Sequence, residues 1–160
     1  IHQGGVLYYV FPTANHSRFE HSIVTYHMAK KIINNIRSKQ HELGITDEIV
    51  KVISIAGLCH DMGHVMYSHL FDDLFLPNLP NFKDLGLMAI HEYRSIVLLK
   101  HVVKKYDIDL NEEEIKVISD LINFQGIIPN TCGFLRITFS RYLSVYLMLS
   151  CDLLICCFCK

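Results

Sequence analysis

From Phe19 onward the apolar positions Phe19, Ile23, Tyr26, Ala29, Ile33 and Ile36 recur at helical spacing until the polar run Arg37-Ser38-Lys39-Gln40, which predicts a first long helix. Ahead of it, Tyr8-Tyr9-Val10-Phe11-Pro12 reads as extended, because Pro12 biases Phe11 away from the helical region, and Thr13 to Ser17 reads as a loop. Thr46-Asp47-Glu48-Ile49 offers an N-cap with an acidic first turn. Val50, Ile53, Ala56, Gly57 and Cys59 then carry a largely apolar, central helix into His60-Asp61-Met62-Gly63-His64. Ser68 to Phe75 predicts a short helix, and Pro77, Asn78, Pro80 and Asn81 predict a flexible loop after it. An amphipathic helix is expected from Ala89 to Tyr106. Asn111, followed by three glutamates, caps another that runs to about Phe124, before Gly126 and Pro129. Strand and helix signals do not alternate, and no internal repeat occurs. The expected fold is all-α.

The chain has 160 residues, 51% hydrophobic and 19% charged, enough to bury one domain's core and too apolar for disorder. A net charge of −1 argues against nucleic-acid binding driven by bulk electrostatics, while leaving room for a local phosphate site. Of six cysteines only Cys59 precedes the last twenty-nine residues, so no disulfide framework spans the chain; a reducing, intracellular setting, cytoplasmic or nuclear, is expected. No secretory signal is visible, and an opening Ile1 in place of Met suggests a fragment. Tyr142 to Cys159 is an apolar run of eighteen residues. Asp152 near its middle would cost about 3 kcal/mol at a bilayer centre, so a buried helix, or the wrongly ended tail of a longer protein, is preferred to a membrane span.

Nine of the ten histidines lie between His16 and His101. His60-Asp61 at the end of an apolar helix needs compensation, because a helix core does not tolerate an unpaired ionisable pair. Imidazole nitrogen and carboxylate oxygen are ligands for a divalent ion, whose charge would offset the burial of Asp61. His64, four residues after His60, shares its helical face; the pattern differs from the zincin His-Glu-x-x-His, and satisfied core or surface histidines are the competing reading.

Arg18 and His21 stand three apart at a helix start, where the macrodipole opposes Arg18, which therefore calls for an anion: a phosphate, or a carboxylate such as Glu20. His69 and Asp72 repeat the three-residue spacing. A carboxylate beside His69 would favour its imidazolium form and suit it as a general acid, with capping as the alternative. His91-Glu92 opens the next helix, where a first-turn acid explains Glu92 but not His91. His2, His16, His27, His41 and His101 carry no such signal, the late cysteines do not form the two Cys-x-x-Cys pairs of a structural zinc site, and neither a Gly-x-Gly-x-x-Gly nor a P-loop string occurs.

His21 followed by His60-Asp61 resembles the HD-domain metal-dependent phosphohydrolases. Four longer strings, 8–12, 16–22, 56–64 and 68–72, together with His91-Glu92, look like the sterile-alpha-motif and HD-domain dNTP triphosphohydrolases over roughly residues 3 to 125. The resemblance implies a helical HD bundle, here the front half of a catalytic domain, and cleavage of a dNTP into deoxynucleoside and inorganic triphosphate. It implies His21, His60 and Asp61 as ligands of a divalent ion (Zn, Fe, Mn or Mg), and Arg18 and His64 as phosphate contacts. Gln3 falls near the sugar, and His69, Asp72 and His91 form the catalytic group at the scissile bond. A nucleotide is thus the expected partner, and a homo-oligomer is admitted.

The family pattern also has a later Asp ligand, expected near or past Lys160; Asp152 stands in a string that does not resemble that segment and is a poor candidate. Residues 1–132 are therefore read as a partial HD domain and 133–160 as an apolar, Cys-rich tail of unknown role. An HD site for another nucleotide, or an inactive domain serving as a binding or regulatory module, are the alternative functions.

Overall fold

A computed structural model describes residues 1–123. The predicted tail 133–160, with Asp152 and the Tyr142–Cys159 run, lies outside the described residues. Four α-helices carry the fold: α1 (Arg18–Lys39), α2 (Asp47–Cys59), α3 (His91–Tyr106) and α4 (Glu112–Ile122). Among the described residues there is no strand, and no helix is long and apolar enough to cross a membrane. The architecture is all-α, as the periodicity indicates.

Helix starts follow local chemistry. Ser17 accepts a hydrogen bond from the Glu20 backbone N–H while the Glu20 carboxylate accepts from the Ser17 backbone, and Asn111 and Glu114 repeat this reciprocal cap on α4. Thr46 caps α2 through the Ile49 N–H. Each cap satisfies donors that the first helical turn leaves without partners.

α2 is central because both of its sides are apolar. Val50 and Ile53 pack with Ala29, Ile33 and Ile45, joining α2 to α1. On the other side Val52, Ala56 and Cys59 pack with Ile96, Leu99, Ile118 and Ile122 of α3 and α4. Burying each of the large aliphatic side chains contributes about 2 kcal/mol by removal from water. α1 and α2 approach closely at Gly57, where an added Cβ would lie 3.2 Å from both the Thr25 carbonyl oxygen and the Ala29 Cβ.

The connecting segments differ from expectation in two places. Tyr8 to Pro12 is not extended: Leu7–Tyr9 is a 3₁₀ turn, and the Phe11 N–H donates to the Leu7 carbonyl at 2.9 Å. Proline restricts only the residue before it, so the preceding aromatics close local turns. The segment around Pro77 and Pro80 is also more regular than a loop, with a π-helical turn at Leu70–Phe75 and 3₁₀ turns at Leu76–Asn78 and Phe82–Ala89. Pro77 fits because it sits in the first turn of a 3₁₀ segment, where no N–H is needed. α3 begins at His91, with the Ile90 backbone extended before it.

Candidate active site

The C-terminal end of α2, the first turns of α1 and α3, and the turn at Leu70–Phe75 converge on Asp61. A helix C-terminus carries partial negative charge and favours a cation, whereas the N-termini of α1 and α3 favour an anion. Asp61 is buried, and five side chains face its carboxylate. Oδ2 accepts from Gln3 Nε2 at 3.0 Å and lies 3.3 Å from both Arg18 Nη1 and His21 Nε2. Oδ1 lies 3.2 Å from His60 Nε2 and 3.8 Å from His64 Nε2. Burial pushes the Asp61 carboxyl up, but the His21 bond, the neighbouring imidazoles and the Gln3 bond outweigh it and hold the group well below the usual carboxylate range.

The donors around Asp61 fit a divalent ion. His21 Nε2 and His60 Nε2 lie 3.4 Å apart, and each is within 3.3 Å of an Asp61 oxygen. Ligands at about 2.1 Å from one ion, subtending tetrahedral or octahedral angles, stand about 3.0–3.4 Å from each other. The ring orientation also fits: His60 Nδ1 is 2.8 Å from the Gly57 carbonyl oxygen, which can only accept, so Nδ1 carries a proton and Nε2 is the atom turned toward Asp61. Asp61, His64 and His91 form a second group whose donor atoms lie within 4.8 Å of one another.

Behind this centre stands a second cluster. His64 and His91 stack with ring centroids 3.8 Å apart and planes at 19°, and His69 meets both edge-on, at 4.8 and 5.6 Å. Asp72 Oδ2 lies 3.0 Å from His64 Nδ1, without the alignment of a hydrogen bond, and 3.7 Å from His91 Nδ1. Its Oδ1 accepts from Arg94 Nη2 at 2.5 Å. The sequence-predicted residues Gln3, Arg18, His21, His60, Asp61, His64, His69, Asp72 and His91 are thus brought together, while His2, His27, His41 and His101 are exposed. Arg18 does find a carboxylate, but it is Asp61 and not Glu20, which is occupied by the Ser17 cap.

Deoxynucleoside triphosphate triphosphohydrolase SAMHD1 of Bos taurus is 35% identical to the chain over 130 residues, 81% of this chain and 20% of that protein. The SAMHD1 homolog of Dictyostelium discoideum is 42% identical over 121 residues, 75% of this chain and 23% of its own length. A putative HD domain-containing protein of Acanthamoeba polyphaga mimivirus is 35% identical over 136 residues, 76% of this chain and 28% of its own. The chain is an HD-domain, dNTP triphosphohydrolase-like protein. It spans about a fifth to a quarter of the length of the first two relatives. No protein-family model matches it.

Several parts of this HD-domain centre had no sequence signal. Ser68 donates through Oγ to the Gln3 carbonyl and accepts from Arg18 Nη2. It reaches them because Tyr67 and Ser68 are consecutive residues in the left-handed region, at φ 66° and 52°, which neither side chain prefers. Ser95, fully buried, accepts from the Gly63 N–H at 2.7 Å and lies 2.7 and 3.0 Å from the His60 and His91 carbonyl oxygens. Arg94 was likewise invisible among the charges of an amphipathic helix.

Burial, with the neighbouring His91, pushes the His64 imidazole down to about 2 from an ordinary value of 6.5. Burial also lowers His91, so the stacked rings are both held toward the neutral form. The unfolded chain binds a proton on His64 below pH 6.5 that the folded chain refuses, so the stability from keeping this ring neutral is complete above 6.5 and declines as pH falls toward 2. By about pH 5 the loss is roughly 2 kcal/mol. Urea unfolding in the presence of a chelator should show this extra acid sensitivity in the wild type and lack it in His64→Gln; parallel slopes would contradict the assignment.

Proposed function

We propose that the chain supplies the histidine-aspartate centre of a divalent-metal-dependent hydrolase that converts dNTPs to deoxynucleoside and inorganic triphosphate. The convergence of His21 Nε2, His60 Nε2 and the Asp61 carboxylate within 3.2–3.4 Å, at the negative end of α2, carries this reading. The substrate class is taken from the names of the SAMHD1 relatives. When bound by His21, His60 and Asp61, a divalent cation supplies Lewis acidity and lowers the pKa of water.

The protein's own groups have separable tasks. Arg18, with one guanidinium nitrogen at Asp61 and another at Ser68, stands at the start of α1 with donors suited to phosphate oxygens. His64 contributes a neutral, buried ring as a further phosphate contact. Gln3, held by its backbone N–H to the His16 carbonyl at 3.0 Å and by its side chain to Asp61, has a buried Oε1 without a hydrogen-bond partner, which supports a role as acceptor for a sugar hydroxyl. Water attacks the α-phosphorus and releases a proton to solvent, the bond from phosphorus to the 5′-oxygen breaks, and His69 gives its proton to that oxygen, with Asp72 and His91 beside it.

Incubating the full chain with Mn²⁺ and each dNTP, with products resolved by ³¹P NMR, should yield inorganic triphosphate and deoxynucleoside in equal amounts. Release of monophosphate or diphosphate would place the cut elsewhere and refute the assignment. Metal retention without turnover would favour a binding or regulatory module.

A further inference from the structure

Arg94 is partly buried at the first turn of α3, and all three of its guanidinium nitrogens are used. Nε donates to the Gly63 carbonyl oxygen at 2.8 Å, Nη1 to the Met88 carbonyl oxygen at 2.8 Å, and Nη2 to Asp72 Oδ1. One side chain therefore joins the loop after His60-Asp61, the end of the 3₁₀ segment before α3, and the turn that carries Asp72. Three of its five N–H donors are thereby spent on the protein itself, which makes Arg94 a tie between segments rather than a phosphate contact. Its charge is matched instead to one carboxylate, with side-chain exposures of 12% and 7% for the two partners.

The geometry leaves Asp72 with one oxygen held and one directed. Oδ1 is taken by Arg94, and Oδ2, buried and without a hydrogen-bond partner, is turned toward the Nδ1 atoms of His64 and His91. A carboxylate with a single anchor can rotate about its bond to the side chain; Arg94, tied at two backbone carbonyls, takes that freedom away. A bidentate-capable, planar donor does this where a flexible ammonium would not.

We propose that Arg94 is a positioning residue: through Asp72 it fixes the orientation of the stacked His64 and His91 rings. Its effect on catalysis rests on the dNTP hydrolysis proposed above, but its effect on the rings does not. Misplacing reacting groups by about 1 Å costs up to about 100-fold in rate. Arg94→Gln should therefore lower kcat by roughly 10- to 100-fold and raise KM less, because Asp72 and His91 stand at the reacting bond while only His64 contacts phosphate. Arg94→Lys, which keeps the charge and one bond to Asp72, should recover part of the loss.

The deciding measurement needs no substrate. Imidazole ¹⁵N spectra of the full, metal-free chain should show the His64 and His91 ring nitrogens shifted in Arg94→Gln, with those of His41 and His101 unchanged. Arg94→Met removes the same ion pair while keeping an unbranched side chain and leaving Asp72 in place, and it should reproduce that shift, which keeps the test available where Arg94→Gln fails to fold. Unaltered His64 and His91 nitrogens in these variants would overturn the proposal, as would equal losses in Arg94→Lys and Arg94→Gln, which indicate packing alone. A wild type that hydrolyses no dNTP would refute the proposed function and leave the spectral result to decide the role of Arg94.

Discussion

Asp61→Asn, which keeps the side chain's volume and removes its charge, should leave a chain that no longer retains a divalent ion through dialysis. Loss of a residue that merely orients a ligand lowers metal affinity by about 10- to 100-fold, and loss of a ligand carboxylate should exceed the upper end of that range. The effect on the metal-free protein is separate. Arg18 would keep its buried charge without the carboxylate at 3.3 Å, and breaking such a pair from one side destabilises by about 3 kcal/mol. Elemental analysis after dialysis and a urea titration in chelator measure the two effects independently. Exposed His41 provides the control: His41→Ala should match the wild type in both. Equal metal content in Asp61→Asn and wild type would rule out Asp61 as a ligand.

Gly63→Ala should be the most disruptive glycine-to-alanine change among the described residues. A Cβ there would lie 2.1 Å from the His91 carbonyl oxygen, 2.5 Å from the Ser95 nitrogen and 2.8 Å from the Arg94 Cβ. Two of these three neighbours are backbone atoms of α3, so relief requires moving the helix start, and the variant should lose at least about 3 kcal/mol or fail to fold. Gly44→Ala is the informative comparison. Gly44 has φ 58° but nothing within 4 Å of its added Cβ, so only the left-handed backbone penalty applies, about 1 kcal/mol. Circular dichroism melts of the two variants should therefore differ widely. A Gly63→Ala melt equal to that of Gly44→Ala would show that α3 does not sit against the His60–His64 loop as described.

The main helices were legible because their determinants are local. The caps at Thr46 and Asn111 and the apolar period from Phe19 to Ile36 depend on residues within a few positions of each other. The same locality made His60-Asp61 conspicuous, as an ionisable pair ending an apolar helix. What escaped was set by distant partners. Nothing near Ser68 announces that its hydroxyl bridges Gln3 and Arg18, sixty-five and fifty positions away in the chain. Arg94 looks like any helical surface cation until the Leu70–Phe75 turn delivers Asp72 to it. The turn at Leu7–Tyr9 was missed for the opposite reason: an aromatic run suits a strand, but no neighbouring strand exists among the described residues to pair with it, so its N–H groups bond locally.

The contacts to Asp61 also bear on the order in which the molecule assembles. Its partners His21, Arg18 and Gln3 lie 40, 43 and 58 residues earlier in the chain, so each contact closes a long loop whose entropy is lost before the bond forms. The apolar faces of α1 and α2 can dock without any of these polar contacts, so the centre can be completed after the helices have paired. An ion that binds only the finished centre draws the folding equilibrium toward it, by about 2.7 kcal/mol at a free concentration 100 times its Kd. Metal supply would then set how much of the protein survives proteolysis as well as how much is active, and a cell short of the ion would lose the chain itself along with its chemistry.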